Sequence, residues 1–216
     1  MRLNRSHYRL KLTAPDGKDR LLILGGRTRL MGVVNVTPDS FYDGGSYADS
    51  SHAIERALAL EAAGADIIDI GGESSRPGSR PVSAEEELER VMPVLEGLAG
   101  RLKIPISIDT WKARVAAAAL GAGAGMVNDI SALRFDPEMS GVVARFGVPC
   151  VLMHMRGDPA TMQDRPVYQD LWDDLKTFFR ERIKAAAAAG IDPDAIIIDP
   201  GIGFGKTLEH NLEIIA

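Results

Sequence analysis

Cysteine and long apolar runs are scarce in this sequence, and both shortages exclude classes of protein. Cys150 is the only cysteine among 216 residues, which excludes an internal disulfide and a metal site built from cysteines. It lies in an apolar run, so we expect a small buried side chain. No stretch approaches the roughly 18–20 apolar residues that cross a bilayer. The N-terminal MRLNRSHYRLKL lacks the apolar core of a signal peptide, so we expect a cytoplasmic protein.

The sequence also has no excess of positive charge. Its 25 lysines and arginines are outnumbered by 30 aspartates and glutamates, and the formal net charge is −5. Proteins that bind nucleic acid usually carry a basic surface, so this class is disfavoured. The length suits one sizeable domain, and we expect a single domain over residues 1–216. Small molecules are the expected partners.

Residues 1–29 are predicted to contain an N-terminal β-hairpin. The apolar Tyr8, Leu10 and Leu12 alternate with basic residues, a Pro-Asp-Gly turn follows at residues 15–17, and an apolar run follows at 21–24. The hairpin precedes the first parallel strand, so we expect it to cap one end of the domain.

Six later segments share one design, a short apolar run that ends in polar residues. Residues 30–36 are apolar and β-branched, and they are predicted to form a strand buried on both faces. Pro38 then ends that strand because it lacks an N–H group. The polar residues at the ends of the other runs are Asp69, Asp109, Asn128 with Asp129, His154, and Asp199.

Amphipathic helices are predicted between these runs. The first covers residues 51–64, Ser83 and Glu86 form a predicted capping box for the second, and Thr207 is predicted to cap the sixth. Alternating strands and helices indicate an α/β fold with a parallel sheet. Polar residues at every strand end favour a (β/α) TIM barrel over a doubly wound sheet, which gathers its polar loops at one switch point. Six of a barrel's eight β/α units are predicted.

Five motifs together resemble the dihydropteroate synthase family of the folate pathway. In order they are NVTPDSFYDGG, DIGGESSRPGS, SIDTWK, NDISA and DPGIGFGK. Each motif alone is moderately specific, and all five in this order are very specific. The resemblance implies a pterin-binding transferase that joins 6-hydroxymethyl-7,8-dihydropterin diphosphate to 4-aminobenzoate and releases pyrophosphate, with Mg²⁺ as cofactor. It also implies a sulfonamide target, and members of the family often form homodimers.

The resemblance assigns the pterin to the ends of three strands. Asp109, Asn128 and Asp199 match the family's pterin-binding positions, and Met153 would line the flat face of the ring. Carboxylates and an amide suit the N–H donors and acceptors along a pterin edge. Asp109 would also stabilise positive charge as the leaving group departs. Taken alone, each polar residue fits a helix cap or an Asx turn equally well, and Met153 fits plain core filling.

Other site residues are implied in the loops. Asn35 matches the family's metal position, where one amide oxygen and phosphate oxygens would hold Mg²⁺. Arg76 would meet a phosphate or a carboxylate, and with Asp109 and Asn35 it completes the predicted catalytic group. Ser75, Pro77 and Phe204 are implied to contact 4-aminobenzoate. Many family members carry threonine where this chain has Ser75.

Two further hypotheses stay open. A catalytically impaired pterin-binding scaffold is the first, because the family's Ser-Arg-Lys segment after the seventh strand and its Arg-x-His segment after the eighth are not in the sequence. The pterin-binding domain of a corrinoid-linked methyltransferase is the second, since it would share the Asn and Asp contacts. His154 and Asp158 lack further ligands for zinc. Lys206 is expected either to neutralise charge near the pocket or to be solvated.

Overall fold

A two-stranded antiparallel hairpin opens the fold. In the computed structural model, which describes residues 7–37, 46–75, 80–163 and 166–216, strands β1 (Tyr8–Thr13) and β2 (Asp19–Leu24) form the predicted hairpin. It lies against the amino ends of the following strands. A Cβ atom on Gly125, the residue before one of those strands, would lie 2.3 Å from the Thr13 carbonyl oxygen, so only glycine fits there.

Six parallel strands form the main sheet, and their spatial order is their order in the sequence. This sequential order is that of a barrel, whereas a doubly wound sheet reverses its order at a switch point. The α/β barrel prediction is therefore confirmed for six units. The strands are β3 (Met31–Asn35), β4 (Ile67–Gly71), β5 (Ile106–Asp109), β6 (Met126–Asp129), β7 (Cys150–Met153) and β8 (Ile196–Asp199).

One helix follows each of these strands. The first begins five residues before its predicted start, and the predicted caps Ser83 and Thr207 each accept a hydrogen bond from the backbone N–H three residues later. The Glu86 side chain pairs instead with Arg90, 2.6 Å away, so only the Ser83 half of the predicted capping box is observed among the described contacts. The helices are α1 (Ser46–Ala62), α2 (Ala84–Leu98), α3 (Ala113–Gly121), α4 (Met139–Phe146), α5 (Leu171–Ala188) and α6 (Leu208–Ile215). None of the helices described is long and apolar enough to cross a membrane.

The two faces of the six-stranded sheet bury different residues. The outer face carries Ile68, Ile70 and Leu152, which pack in the core that the helices cover. The inner face carries Ile67 and Met126 at its amino end, where they pack with the hairpin. Because side chains alternate along a strand, the polar residues Asp69, Asp109, Asn128 and Asp199 all lie on this inner face. Cys150 is fully buried, as predicted, and burial raises its pKa to about 12.

Strand β3, the first strand of the six-stranded sheet, is less buried than its sequence predicts. In the part of the chain that the structure describes, β3 and β8 each pair with one neighbouring strand. Met31 and Val33 are 36% and 52% exposed on the inner face of β3, so the prediction of burial on both faces is wrong. Periodicity reveals a buried outer face, where Val34 is 2% exposed, but it cannot reveal what lies opposite an edge strand.

Candidate active site

Polar side chains from neighbouring strands meet at the carboxyl edge of the sheet. Asn35, Asp109 and Asn128 share one level, because the register pairs Asn35 with Gly71, Gly71 with Asp109, and Asp109 with Asn128. A Cβ atom on Gly71 would lie 3.2 Å from Asp109 Oδ2, so this glycine makes room for the carboxyl. On the last two strands Asp199 pairs with Met153. All these strand-end residues thus lie along one edge of the sheet, with Met153 and Asp199 two residues beyond the level of Asn128, which pairs with Val151.

Asp69 lies on β4, two residues before Gly71 on the same face, and it holds the Asn128 side chain. It was not among the predicted site residues. Its carboxyl is 3% exposed, and its Oδ2 accepts a hydrogen bond of 2.9 Å from Asn128 Nδ2. Since a carboxylate only accepts, this bond uses the NH₂ group of Asn128 and leaves its oxygen as the end available to a ligand. Burial raises the pKa of Asp69 to about 6. The only sequence signal was an aspartate inside the apolar run IIDIG.

Asp109 lies in an acidic environment. Burial raises its pKa well above the usual range, and the neighbouring carboxyls of Asp69, Glu87, Asp129 and Glu73 raise it further. Such a group is stabilised by a ligand that brings N–H donors or positive charge. The alternative role as a helix cap does not apply, because Lys112 is the N-cap of α3 and makes no side-chain cap.

Asp199 combines a turn with an open acceptor. Its Oδ1 accepts a hydrogen bond of 2.8 Å from the N–H of Gly201, which is the Asx turn that the residue type permits. Its backbone carbonyl accepts from the N–H of His154, also at 2.8 Å, and ties the ends of β7 and β8 together. A carboxylate has further acceptor positions, so Asp199 can hold its own loop and still receive a ligand donor.

An apolar group borders these polar residues. Met153 and Ile130 are buried in a cluster with Met155 and Met162, against which Phe204 packs. Met153 is 4% exposed, so it serves as core filling while it flanks Asp199. A planar ring lying over the polar edge would meet a flat apolar surface here.

A cavity of about 590 Å³ opens beside Asp109, a size that suits a small-molecule ligand. Among the predicted site residues that the structure describes, only Ser75 and Asp109 line it. Trp111 and Phe135 form an apolar wall, with ring centroids 5.8 Å apart in an edge-to-face arrangement. The cavity is not lined by Asn128, Asp199 or the other strand-end groups, which share the inner face of the sheet with Asp109.

A buried ion cluster anchors the loop after β4. Lys112 is 7% exposed, and its Nζ bonds the carboxylates of Glu73 and Glu87. Burial raises the pKa of Glu87, and the hydrogen bond from Lys112 opposes that rise. Glu73 lies two residues before Ser75, so this cluster holds the start of the Ser-Ser-Arg-Pro-Gly segment. The sequence analysis missed the cluster because its members come from three separate segments.

The loop after β8 contains a second buried lysine. Lys206 is 3% exposed, so the expectation that it is solvated is wrong. Its Nζ lies 3.0 Å from His154 Nδ1 and within hydrogen-bonding distance of backbone carbonyls. It is therefore engaged by the loop itself rather than standing free beside the pocket.

The remaining predicted residues concern the metal and the loops. Arg76, Pro77 and Pro38 lie outside the described residues. Asn35 is exposed at the end of β3. No group of three or more His, Cys, Asp or Glu side chains able to hold a metal occurs within the described ranges. One amide oxygen suits Mg²⁺ only where the substrate and water supply most of the ligands.

Comparison with known proteins places this geometry in context. A family model described as pterin binding enzyme matches residues 31–216. A dihydropteroate synthase of Synechocystis sp. is 50% identical over 191 residues, which cover 88% of this chain and 66% of that protein. One from Escherichia coli is 46% identical and is likewise covered over 66% of its length. The chain thus spans about two thirds of the length of these relatives.

Solved structures that resemble this chain are also dihydropteroate synthases. The dihydropteroate synthase of Xanthomonas albilineans with 4-aminobenzoic acid superimposes with a TM-score of 0.85 at 46% identity, covering 97% of this chain and 72% of that one. The Yersinia pestis dihydropteroate synthase in a sulfonamide drug complex gives 0.84 at 45% identity, covering 95% and 73%.

Proposed function

The chain belongs to the pterin-binding enzyme family and, within it, to the dihydropteroate synthases, and from this membership we propose that it takes part in the condensation of 6-hydroxymethyl-7,8-dihydropterin diphosphate with 4-aminobenzoate. The observation that carries the proposal is that Asp109 and Asn128 lie side by side on neighbouring strands, where the buried Asp69 fixes the Asn128 amide through a hydrogen bond. Two adjacent strands there offer a carboxyl and a fixed amide to one edge of a planar ligand.

The proposed pterin site uses the inner face of the sheet. The Asn128 oxygen accepts an N–H of the ring, since its NH₂ group is bonded to Asp69. Asp109 and Asp199 accept further N–H groups, and Met153 and Ile130 supply the apolar surface beside the ring. The acidic surroundings of Asp109 favour a ligand that carries N–H donors.

The proposed reaction is a substitution at the methylene carbon of the pterin. The amino nitrogen of 4-aminobenzoate forms a bond to that carbon while the C–O bond to the diphosphate breaks, pyrophosphate leaves with the bonding pair, and the new secondary amine loses one proton. Positive charge that develops on the pterin during this step lies against Asp109, which stabilises it electrostatically.

The proposed 4-aminobenzoate site lies between the loops after β4 and β8. Ser75 follows the segment that Lys112 and Glu73 hold, and Phe204 packs against the methionine cluster. The Xanthomonas structure with 4-aminobenzoic acid and the Yersinia structure with a sulfonamide support a site of this kind in the family. We infer that sulfonamides compete for it.

Magnesium, subcellular location and assembly complete the proposal. Asn35 would hold Mg²⁺ through its amide oxygen together with diphosphate oxygens, and the bound ion would neutralise charge on the leaving group. Arg76 and Pro77 are proposed to adjoin these substrates from the Ser-Ser-Arg-Pro-Gly segment. We place the protein in the cytoplasm and expect a homodimer, which sedimentation of the purified chain tests.

Pyrophosphate release is the test of the proposed reaction. The chain is incubated with dihydropterin diphosphate and Mg²⁺, and 4-aminobenzoate is then added. We expect pyrophosphate to appear only after the second substrate and to be suppressed by a sulfonamide. Binding of both substrates without any pyrophosphate would instead support the impaired scaffold. The methyltransferase hypothesis has no counterpart among the relatives reported above.

A further inference from the structure

The segment that carries Phe204 is held at both ends by one buried cation. Lys206 Nζ lies 3.1 Å from the carbonyl oxygen of Gly201 and 3.0 Å from that of Phe204. Its other partners belong to His154, whose Nδ1 lies at 3.0 Å and whose carbonyl oxygen lies at 3.4 Å. An ammonium group has three donors, so these partners use all of them. The lysine therefore joins the two ends of residues 201–204 to the end of β7.

The charge of Lys206 is balanced by dipoles rather than by a carboxylate. No ion pair to Lys206 occurs in the part of the chain that the structure describes, although Asp199 acts on it at longer range. Burial lowers the pKa of His154 to about 4, so its ring is neutral and Nδ1 can accept a hydrogen bond from the lysine. Because Lys206 is 3% exposed and its donors are engaged, it does not contact a ligand directly, but it fixes the positions of the carbonyls it bonds.

Other contacts hold the same loop against its neighbours. The N–H of Gly203 donates to Asn211 Oδ1 at 2.9 Å, and the Tyr168 hydroxyl donates to the Gly205 carbonyl at 2.7 Å. Gly201 has a φ of +69°, and a Cβ atom there would lie 2.1 Å from the His154 carbonyl oxygen. Loss of the lysine would therefore leave Gly203 and Gly205 attached but would free the carbonyls of Gly201 and Phe204.

We propose that Lys206 is a positioning residue for the 4-aminobenzoate side of the site: it sets the place of the Phe204 ring by holding the carbonyls of Gly201 and Phe204. The inference rests on the proposed function. Phe204 packs on the cluster of Met153 and Ile130, so a shift of its backbone moves one wall of the site. Among the proposed pterin contacts, Asp109 and Asn128 lie on β5 and β6, away from this loop, whereas Asp199 accepts a hydrogen bond from Gly201 and is coupled to it.

Two variants separate positioning from folding. Lys206→Met removes the donors, and Lys206→Arg keeps donors that can reach carbonyls. We expect Lys206→Met to raise the KM for 4-aminobenzoate by about tenfold or more and the Kd for dihydropterin diphosphate by clearly less, since Asp109 and Asn128 keep their positions. Lys206→Arg should recover most of the lost KM. Lys176→Met, at an exposed lysine of α5, is the matched control and should change neither value.

A second readout does not depend on turnover. The N–H of Phe204 donates to the Gly201 carbonyl at 3.0 Å, so its hydrogen exchange reports on the segment directly. We expect exchange at Phe204 to speed up by about tenfold in Lys206→Met while amides of β5 and β6 keep their rates. Unchanged exchange at Phe204, or an equal loss of pterin affinity, overturns the proposal. A chain that never releases pyrophosphate contradicts the proposed function, and the exchange rate still decides the role of the lysine.

Discussion

Lys112 and Lys206 are both buried at the carboxyl edge of the sheet, yet their charges are balanced in different ways. Lys112 bonds two carboxylates, Glu73 and Glu87, whereas Lys206 bonds three backbone carbonyls and a neutral histidine ring. Removing a charge from an ion cluster leaves unpaired charges behind. Removing it from a group of carbonyls leaves only dipoles, so we expect the first lysine to matter for stability and the second for position.

The largest effect is expected at Lys112. Lys112→Met leaves the carboxylate of Glu87, a side chain with 0% exposure, buried without its cation. We expect a loss of roughly 3–5 kcal/mol in the free energy of unfolding, measured by urea denaturation. The double variant Lys112→Met with Glu87→Met also removes the most deeply buried carboxylate, leaves only the less buried Glu73 unpaired, and should recover much of that loss. A single variant as stable as the unmodified chain would contradict the comparison.

A smaller effect with a distinct pH dependence is expected at Lys206. Burial lowers its pKa to about 8 from 10.5, so between these values the unfolded chain binds more protons than the folded chain. The stability contribution of this group therefore rises as the pH increases from about 8 to 10.5. Lys206→Met should lack this rise, which we expect to be on the order of 1–3 kcal/mol. If the urea midpoints of the two proteins changed with pH by the same amount across this range, the prediction would be refuted.

The smallest effect is expected where a similar pair is exposed. Arg114 and Glu85 form an ion pair whose side chains are 64% and 61% exposed. Water already solvates both charges, so Glu85→Gln should leave the free energy of unfolding nearly unchanged. Urea denaturation at low and high salt checks this result. A loss as large as that of Lys112→Met would show that burial is not what distinguishes the two clusters.

Local signals in the sequence predicted much of the fold. The repeated change from an apolar run to a polar residue located all six parallel strands, and residue types known to cap helices located Ser83 and Thr207. These features depend on neighbours within a few positions. Asp109, Asn128 and Asp199 were placed at strand ends for the same reason, and their contacts with substrates remain predictions.

Contacts between distant segments could not be read in this way. Lys206 and His154 are 52 positions apart, and Lys112 and Glu73 are 39 apart. A lysine in a glycine-rich loop usually faces water, so nothing local indicated that Lys206 is buried. The exposure of Val33 was missed for a related reason, because a continuous apolar run does not reveal that its strand lies at an edge.

The central claim is that the inner-face carboxyl and amide groups bind a pterin, and calorimetric titration with dihydropterin diphosphate and Mg²⁺ tests it most directly. Asn128→Leu removes the amide, while Glu85→Gln alters an exposed side chain of α2 and serves as the control. We predict that the Kd rises by about tenfold or more in Asn128→Leu and stays within about twofold in Glu85→Gln. An unchanged Kd in Asn128→Leu, or an equal loss in both variants, would contradict the account.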